Sequence, residues 1–175
     1  DENFAKVVPY YVAQIYHYQE KYDELIEYAT PLLEQDDVQR GEEMALLVGN
    51  AYYSKEEYAE AVPFLEKYMA STYNPAPEDS YRMGYSYYRT GDFEKAIDYF
   101  TKASKEDNAL GQIATYQLAD SYLQLDQKKY AQNAFKLASK QFYDPEVTED
   151  ALFNYAKLAY ELSYDPFHEA IIAFE

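Results

Sequence analysis

Residues 80–103 read SYRMGYSYYRTGDFEKAIDYFTKA, and this stretch decides the fold. Met83 and Tyr87 fall one helical turn apart, and so do Ala96 and Phe100. Between the two halves stands Gly91-Asp92, a turn pair in which Asp92 is placed to cap the second helix. Two amphipathic helices joined by a tight turn are therefore written into one short segment. Sliding the chain by 35 residues brings small residues into coincidence at Gly49, Gly84 and Ala119. The same shift aligns Tyr52, Tyr87 and Tyr122, then Ala61, Ala96 and Ala131, then Leu65, Phe100 and Phe135. Three units keep this register without a gap.

Looser copies flank them. Upstream, Ala13, Tyr16, Leu25 and Ala29 fill the corresponding places at a spacing of 36 to the next unit, with Leu25 where the others have Ala. Downstream, Ala156, Ala159, Ala170 and Phe174 do so after short insertions. The half-motifs Ala45-x2-Val48-Gly49-x2-Tyr52 and Ser80-x2-Met83-Gly84-x2-Tyr87 precede a second half, Ala96-x3-Phe100, Ala131-x3-Phe135 and Ala170-x3-Phe174. This pattern resembles the tetratricopeptide repeat, less its opening Trp. The resemblance covers nearly the whole chain and implies an all-α fold, a right-handed α-solenoid of about five antiparallel helix-turn-helix repeats. The repeats fall near 4–39, 40–76, 77–111, 112–146 and 147–175, the last incomplete, in a single solenoid domain of bacterial type.

The local chemistry supports the same reading. Glycine inside a helix costs about 1 kcal/mol against alanine, so Gly49 and Gly84 mark a close approach of a second helix. The facing small residues are Ala61, Ala96, Ala131 and Ala170, and Ala96→Leu is expected to overpack that waist by roughly 1–3 kcal/mol. The triplets Tyr73-Asn74-Pro75, Tyr143-Asp144-Pro145 and Tyr164-Asp165-Pro166 read as helix starts, an Asx cap followed by Pro at the first helical position. Helices are expected near 4–19, 21–34, 40–53, 55–72, 78–90, 92–105, 109–125, 127–141, 146–162 and 166–175. No strand pattern competes. The last helix carries Ile171, Ile172 and Phe174 and stops before its hairpin is complete, which reads as a cut from a longer array. Self-association through that uncapped C-terminal face is the alternative.

Composition narrows function. With 48% hydrophobic residues, 5 Gly and 7 Pro, the chain is packed rather than disordered. The 23 Tyr and 9 Phe, with no Trp, suit shallow cores and half-wet grooves. A formal charge of −17 disfavours nucleic acid as a partner, because phosphate is repelled. No run of about 18 apolar residues is present to span a membrane. Zero Cys excludes disulfides and thiolate chemistry.

No constellation for catalysis, cofactor or metal emerges. His17 and His168 are far apart in sequence and lack the helical companions of a metal site. The acidic stretches Glu34-Gln35-Asp36-Asp37 and Lys105-Glu106-Asp107-Asn108 lack the alternating ligands of a calcium loop and read as solvated connections between repeats. The chain is therefore expected to be no enzyme.

The resemblance places the first helix of each hairpin on a concave face. Repeat register then puts Tyr10, Gln14, His17 and Tyr18 there in the first unit, and Leu46, Asn50, Tyr53 and Ser54 in the second. The third supplies Tyr81, Arg82, Tyr85, Tyr88 and Arg89, the fourth Tyr116, Gln117, Asp120 and Gln124, the fifth Phe153, Asn154, Lys157 and Tyr160. Tyr81, Tyr85 and Tyr88 share one helical face beside Arg82 and Arg89, the residue types that dominate hot spots. Arg82 also has Glu78 one turn earlier as an ion-pair partner. The candidate partner-binding set is Asn50, Tyr53, Tyr81, Arg82, Tyr85, Tyr88, Arg89, Tyr116 and Asp120. The Lys, Asn and Arg carboxylate clamp of chaperone-binding family members is not reproduced, since on units two to four only Asn50 matches. A scaffold that holds a peptide or protein partner is the expected function. Carbohydrate or small-ligand binding by the aromatic groove is the alternative, as is an accessory interaction domain of a larger envelope protein. The Tyr-rich acidic style resembles bacterial repeat proteins of the cell envelope, which favours periplasm or envelope over cytoplasm.

Overall fold

The computed structural model describes residues 2–35, 38–163 and 172, with side chains from Lys6 onward. Among the described residues there are nine helices and no strand. They are α1 (Glu2–Tyr18), α2 (Tyr22–Leu33), α3 (Gly41–Ser54), α4 (Tyr58–Ser71), α5 (Pro77–Thr90), α6 (Phe93–Ala103), α7 (Ala109–Gln124), α8 (Lys128–Ala138) and α9 (Pro145–Leu162). The expected last helix near 166–175, with His168, the Tyr164-Asp165-Pro166 start and the Ala170-x3-Phe174 motif, lies outside the described residues, as do Asp36 and Asp37.

The chain divides into two compact units, Asp1–Pro75 and Ala76–Glu175. In the first, α1 packs on α2 and α3, and α3 on α4. Its core gathers Tyr10, Ala13, Leu25, Ala29, Met44 and Val48, with Tyr16, Tyr28, Tyr52 and Phe64 packed against it. In the second, α5, α7 and α9 each touch the next, while α6 and α8 fill the outer spaces without touching one another. The odd-numbered helices of this unit thus form one layer, each packed more extensively on its even-numbered neighbours than on the next odd one. Apolar burial in this unit centres on Met83, Tyr87, Phe100, Ala119 and Phe135.

Two devices hold the hairpins, a glycine waist in α3–α4 and α5–α6 and a left-handed turn in all four. At the waist, a methyl group on Gly49 would lie 2.7 Å from Leu65 Cδ2, and one on Gly84 2.9 Å from Phe100 Cδ1. The nearest neighbour of each glycine is therefore the large residue of the facing helix, not the alanine that the sequence set opposite it. In these two hairpins the large side chain fills the space a Cβ would take, whereas the equivalent pair of the α7–α8 hairpin, Ala119 and Phe135, is buried with a Cβ present. At the top, the chain takes a left-handed residue at Glu20, Glu56, Gly91 and Asp126, spaced 36, 35 and 35 apart. The following amides of Lys21, Glu57, Asp92 and Gln127 donate to the carbonyls of Tyr16, Tyr52, Tyr87 and Tyr122 at 2.8–3.0 Å. This is the Schellman ending of a helix, in which one reversed residue satisfies two orphan carbonyls. The repeated tyrosine is thus both a core ring and the anchor of the turn. Its ring stacks on the next helix, Tyr52 on Phe64 and Tyr87 on Tyr99, with centroids 5.6 and 5.8 Å apart. Where that partner position holds Ala134, Tyr122 stacks instead on Tyr130 at 5.4 Å.

Of the two described helix starts read from an Asx-Pro pair, one differs from expectation. Asp144 caps α9 as expected, its carboxylate accepting from the amides of Glu146 and Val147, with Pro145 first in the helix. After Asn74-Pro75, however, α5 starts two residues later at Pro77, with no side-chain cap. Pro77 offers the same preset φ, so it takes the first helical position in place of Pro75. A contact invisible in the repeat pattern fixes the α8–α9 connection. Gln112 on α7, fully buried, donates to Thr148 Oγ1 at 2.8 Å and accepts from the Asp144 amide at 2.7 Å. It also donates to the Gln141 carbonyl.

Candidate functional site

The exposed side of the α5, α7 and α9 layer is built from the sequence upward. Residues 81, 85 and 88 lie within one stripe of α5, so their rings must follow one another along the helix. They do: Tyr81 and Tyr85 stack at 6.0 Å and 18°, Tyr85 and Tyr88 at 6.2 Å and 24°. Each end of the row is braced from behind, Tyr81 by Phe100 at 5.7 Å and Tyr88 by the edge of Phe93 at 5.5 Å. Arg89 leans on the middle ring, its guanidinium 5.7 Å from the Tyr85 centroid and 3.3 Å from the Tyr85 hydroxyl.

The row is tied to the next helix. The Tyr88 hydroxyl donates to Asp120 Oδ2, which also accepts from Gln124 Nε2 at 3.4 Å. Burial, then this bond and the Asp120 charge, hold the Tyr88 phenol well above the ordinary tyrosine range. Tyr116 stands one turn before Asp120, its ring against Phe135 at 5.3 Å. Burial raises its phenol too, reinforced by the carboxylates of Asp150 and Asp120 and opposed by a hydrogen bond with Asn154. Tyr88, Tyr116, Asp120, Asp150 and Asn154 therefore come together across three helices. Both phenols stay protonated donors at neutral pH.

The remaining expected residues are placed as follows. Arg82 does not pair with Glu78. Its Nη1 lies 3.2 Å from Asp79 Oδ1, because Asp79 is the carboxylate that α5 buries and Glu78 is exposed. Tyr10 does not line a groove either: it is 6% exposed, covered by the Arg40 guanidinium at 3.8 Å from its centroid and bonded to Gln14 at 2.7 Å. His17 meets the Tyr22 ring edge-on at 6.3 Å. Tyr53 packs edge-on against Tyr58 at 5.5 Å, and Asn50 Oδ1 is shielded from solvent with no hydrogen bond among the described residues. Both belong to the first unit. Asp150 was missed by the repeat register, since only its neighbours Phe153 and Asn154 fall at groove positions; its nearness to Tyr116 is the signal, and that is tertiary.

Among the described residues, no group of three His, Cys, Asp or Glu is arranged to hold a metal ion. No described helix is long and apolar enough to cross a membrane. Two open hollows of about 300 and 320 Å³ flank the α8–α9 connection around Phe142, away from the tyrosine row.

Comparison with known proteins agrees with the architecture. The family model described as anaphase-promoting complex, cyclosome, subunit 3 matches residues 54–138. A crystal structure of MamA superposes with a TM-score of 0.72 at 18% identity, over 93% of this chain and 90% of that one. The C-terminal part of a TPR repeat-containing protein from Cytophaga hutchinsonii superposes at 0.53 and 18% identity, over 97% of this chain and 73% of that one.

The fold is that of the tetratricopeptide repeat.

BtubC from P. vanneervenii aligns at a TM-score of 0.56 and 15% identity, over 87% of this chain and 68% of its own. No curated protein sequence matches. Tetratricopeptide arrays stack helical hairpins so that the first helices form one extended layer. In the second unit of this chain that layer carries the tyrosine row.

Proposed function

We propose that the chain holds a protein or peptide partner on the odd-numbered helix layer, with Tyr81, Tyr85, Tyr88, Arg89, Tyr116 and Asp120 as the contact set of its second unit. One observation carries this. The three α5 rings are already stacked, braced from behind and tied by Tyr88 to Asp120 on α7. A row ordered before binding loses little side-chain entropy on contact, which is the condition for an aromatic anchor. Asn50 and Tyr53 are candidate contacts of the first unit taken by itself. Arg82 supports the face indirectly through Asp79. The chain acts by binding, and catalysis has no part in this reading.

The test is affinity capture from the source organism with the purified chain as bait. Tyr85→Ala should retain the helical circular-dichroism spectrum and lose the captured partner. Retention of the same partner at the same yield refutes the assignment. Near-parallel phenol rings also suit sugar stacking, so a glycan array probed with the same protein serves as the second arm. Silence there is expected, and a specific glycan signal would replace the peptide reading.

A further inference from the structure

The second unit separates its charge by layer. In the odd-numbered layer α5 is balanced, α7 carries Asp120 alone, and α9 has four acids against Lys157, a net of four negative charges. In the outer layer α6 is balanced and α8 carries three lysines with no acid, a net of three positive charges. The layer that bears the tyrosine row is therefore the more acidic one, although α5 itself is neutral and Glu161 of α9 pairs with Lys128 of α8 at 3.2 Å.

Of its two central carboxylates, Asp120 is held by neutral groups and Asp150 is exposed. Asp120 accepts from the Tyr88 hydroxyl and the Gln124 amide. No salt bridge among the described residues reaches Asp120 or Asp150. Asp120 lies one turn after Tyr116 on α7, and the charges of Asp120 and Asp150 both act on the Tyr116 phenol. The chain also shows what its tyrosine faces do when a cation is within reach. Lys95 Nζ sits 4.6 Å over the Tyr87 ring and Lys102 Nζ 4.5 Å over Tyr99.

We propose that this face receives a lysine or arginine side chain of the partner, seated on the Tyr88 and Tyr116 phenols with Asp120 and Asp150 as counter-charges. This rests on the scaffold reading and adds the chemistry of the ligand. A neutral or acidic segment covering the face would strip water from two carboxylates and give nothing back. A basic side chain restores the lost charge interaction and gains the ring quadrupole. The same arrangement selects against anionic partners by placing like charge at the contact.

The experiment uses the full chain labelled with ¹⁵N and three synthetic octapeptides of one design: lysine at alternate positions, glutamine in those positions, or glutamate. Amide shifts are followed through a titration. The lysine peptide should move amides of α5, α7 and α9 saturably, and the glutamine peptide should bind about tenfold more weakly or worse. The glutamate peptide should leave those amides in place. Asp120→Asn with Asp150→Asn should weaken the lysine peptide by about tenfold, and Asp150→Asn alone, at an exposed position, should weaken it in part. Lys129→Gln with Lys136→Gln on α8 should change nothing at this face. The inference is overturned if the lysine peptide shifts only the acid-rich first unit, or if the asparagine variants bind it unchanged. If the glutamine peptide moves α5, α7 and α9 as strongly as the lysine peptide, the face binds peptides and only the cation preference falls. If no peptide moves them, both readings fall.

Discussion

Asp79 sits in the first turn of α5 with 7% of its surface exposed. Burial holds its carboxyl above the ordinary carboxylate range, and Arg82 only partly opposes this. A carboxyl whose folded pKa is raised stabilises most when protonated, so its contribution is complete below its unfolded value. That contribution is lost as pH rises through the folded one. Asp79 therefore costs stability at neutral pH. Asp79→Asn should raise the urea midpoint at pH 7 and remove the part of the pH dependence that lies between the usual carboxylate range and neutrality. An unchanged midpoint at pH 7 with an unchanged slope would show that Arg82 fully compensates the buried charge. The sequence offered Arg82 two acids, at i−3 and i−4, and spacing alone does not choose between them. Burial chooses, and burial is set by how α5 packs.

The element scale is governed by the turn between paired helices. Left-handed backbone costs a residue with a side chain roughly 1–2 kcal/mol, and glycine almost nothing. Gly91 accepts φ 85° without strain, with nothing within 4 Å of where a Cβ would stand. Glu20, Glu56 and Asp126 hold φ of 55–61° at the equivalent places. Glu56→Gly and Asp126→Gly should each stabilise by about 0.5–1 kcal/mol, and Gly91→Ala should destabilise by about 1 kcal/mol. Equilibrium denaturation of the three variants checks this, and equal effects of one sign would contradict it. The place of the turn was legible in all four hairpins, as the expected breaks near 20, 54, 91 and 126 show, but its left-handed residue was legible only at Gly91. At Glu20, Glu56 and Asp126 the Schellman hydrogen bonds hold a strained residue that its own identity does not announce. Helix bounds were legible to within a few residues everywhere among the described helices, because apolar periodicity and the Asp92 and Asp144 caps act locally. Gln112 was not, since its partners are 26 or more residues away.

Across the molecule, a formal charge of −17 spread over 175 residues sets a background of self-repulsion. Salt shortens its range, from about 20 Å at low ionic strength to well under 10 Å at a few tenths molar. The thermal midpoint should therefore rise by about 2–5 °C between roughly 20 and 300 mM sodium chloride. A flat or falling midpoint would mean that local pairs such as Lys55 with Asp23 and Glu57, at 2.6 and 2.9 Å, outweigh the net charge. The sequence by itself determined the repeat, its period, the helical class and the tyrosine stripe on α5, because each follows from spacings within one or two helical turns. Tertiary structure alone decided that Tyr10 joins the core, that Arg82 serves Asp79, and that Asp150 lies near Tyr116 together with Asp120. The physical reason is common to all three. Periodicity fixes the direction of a side chain on its own helix, whereas burial and electrostatic partners depend on which other helix arrives there.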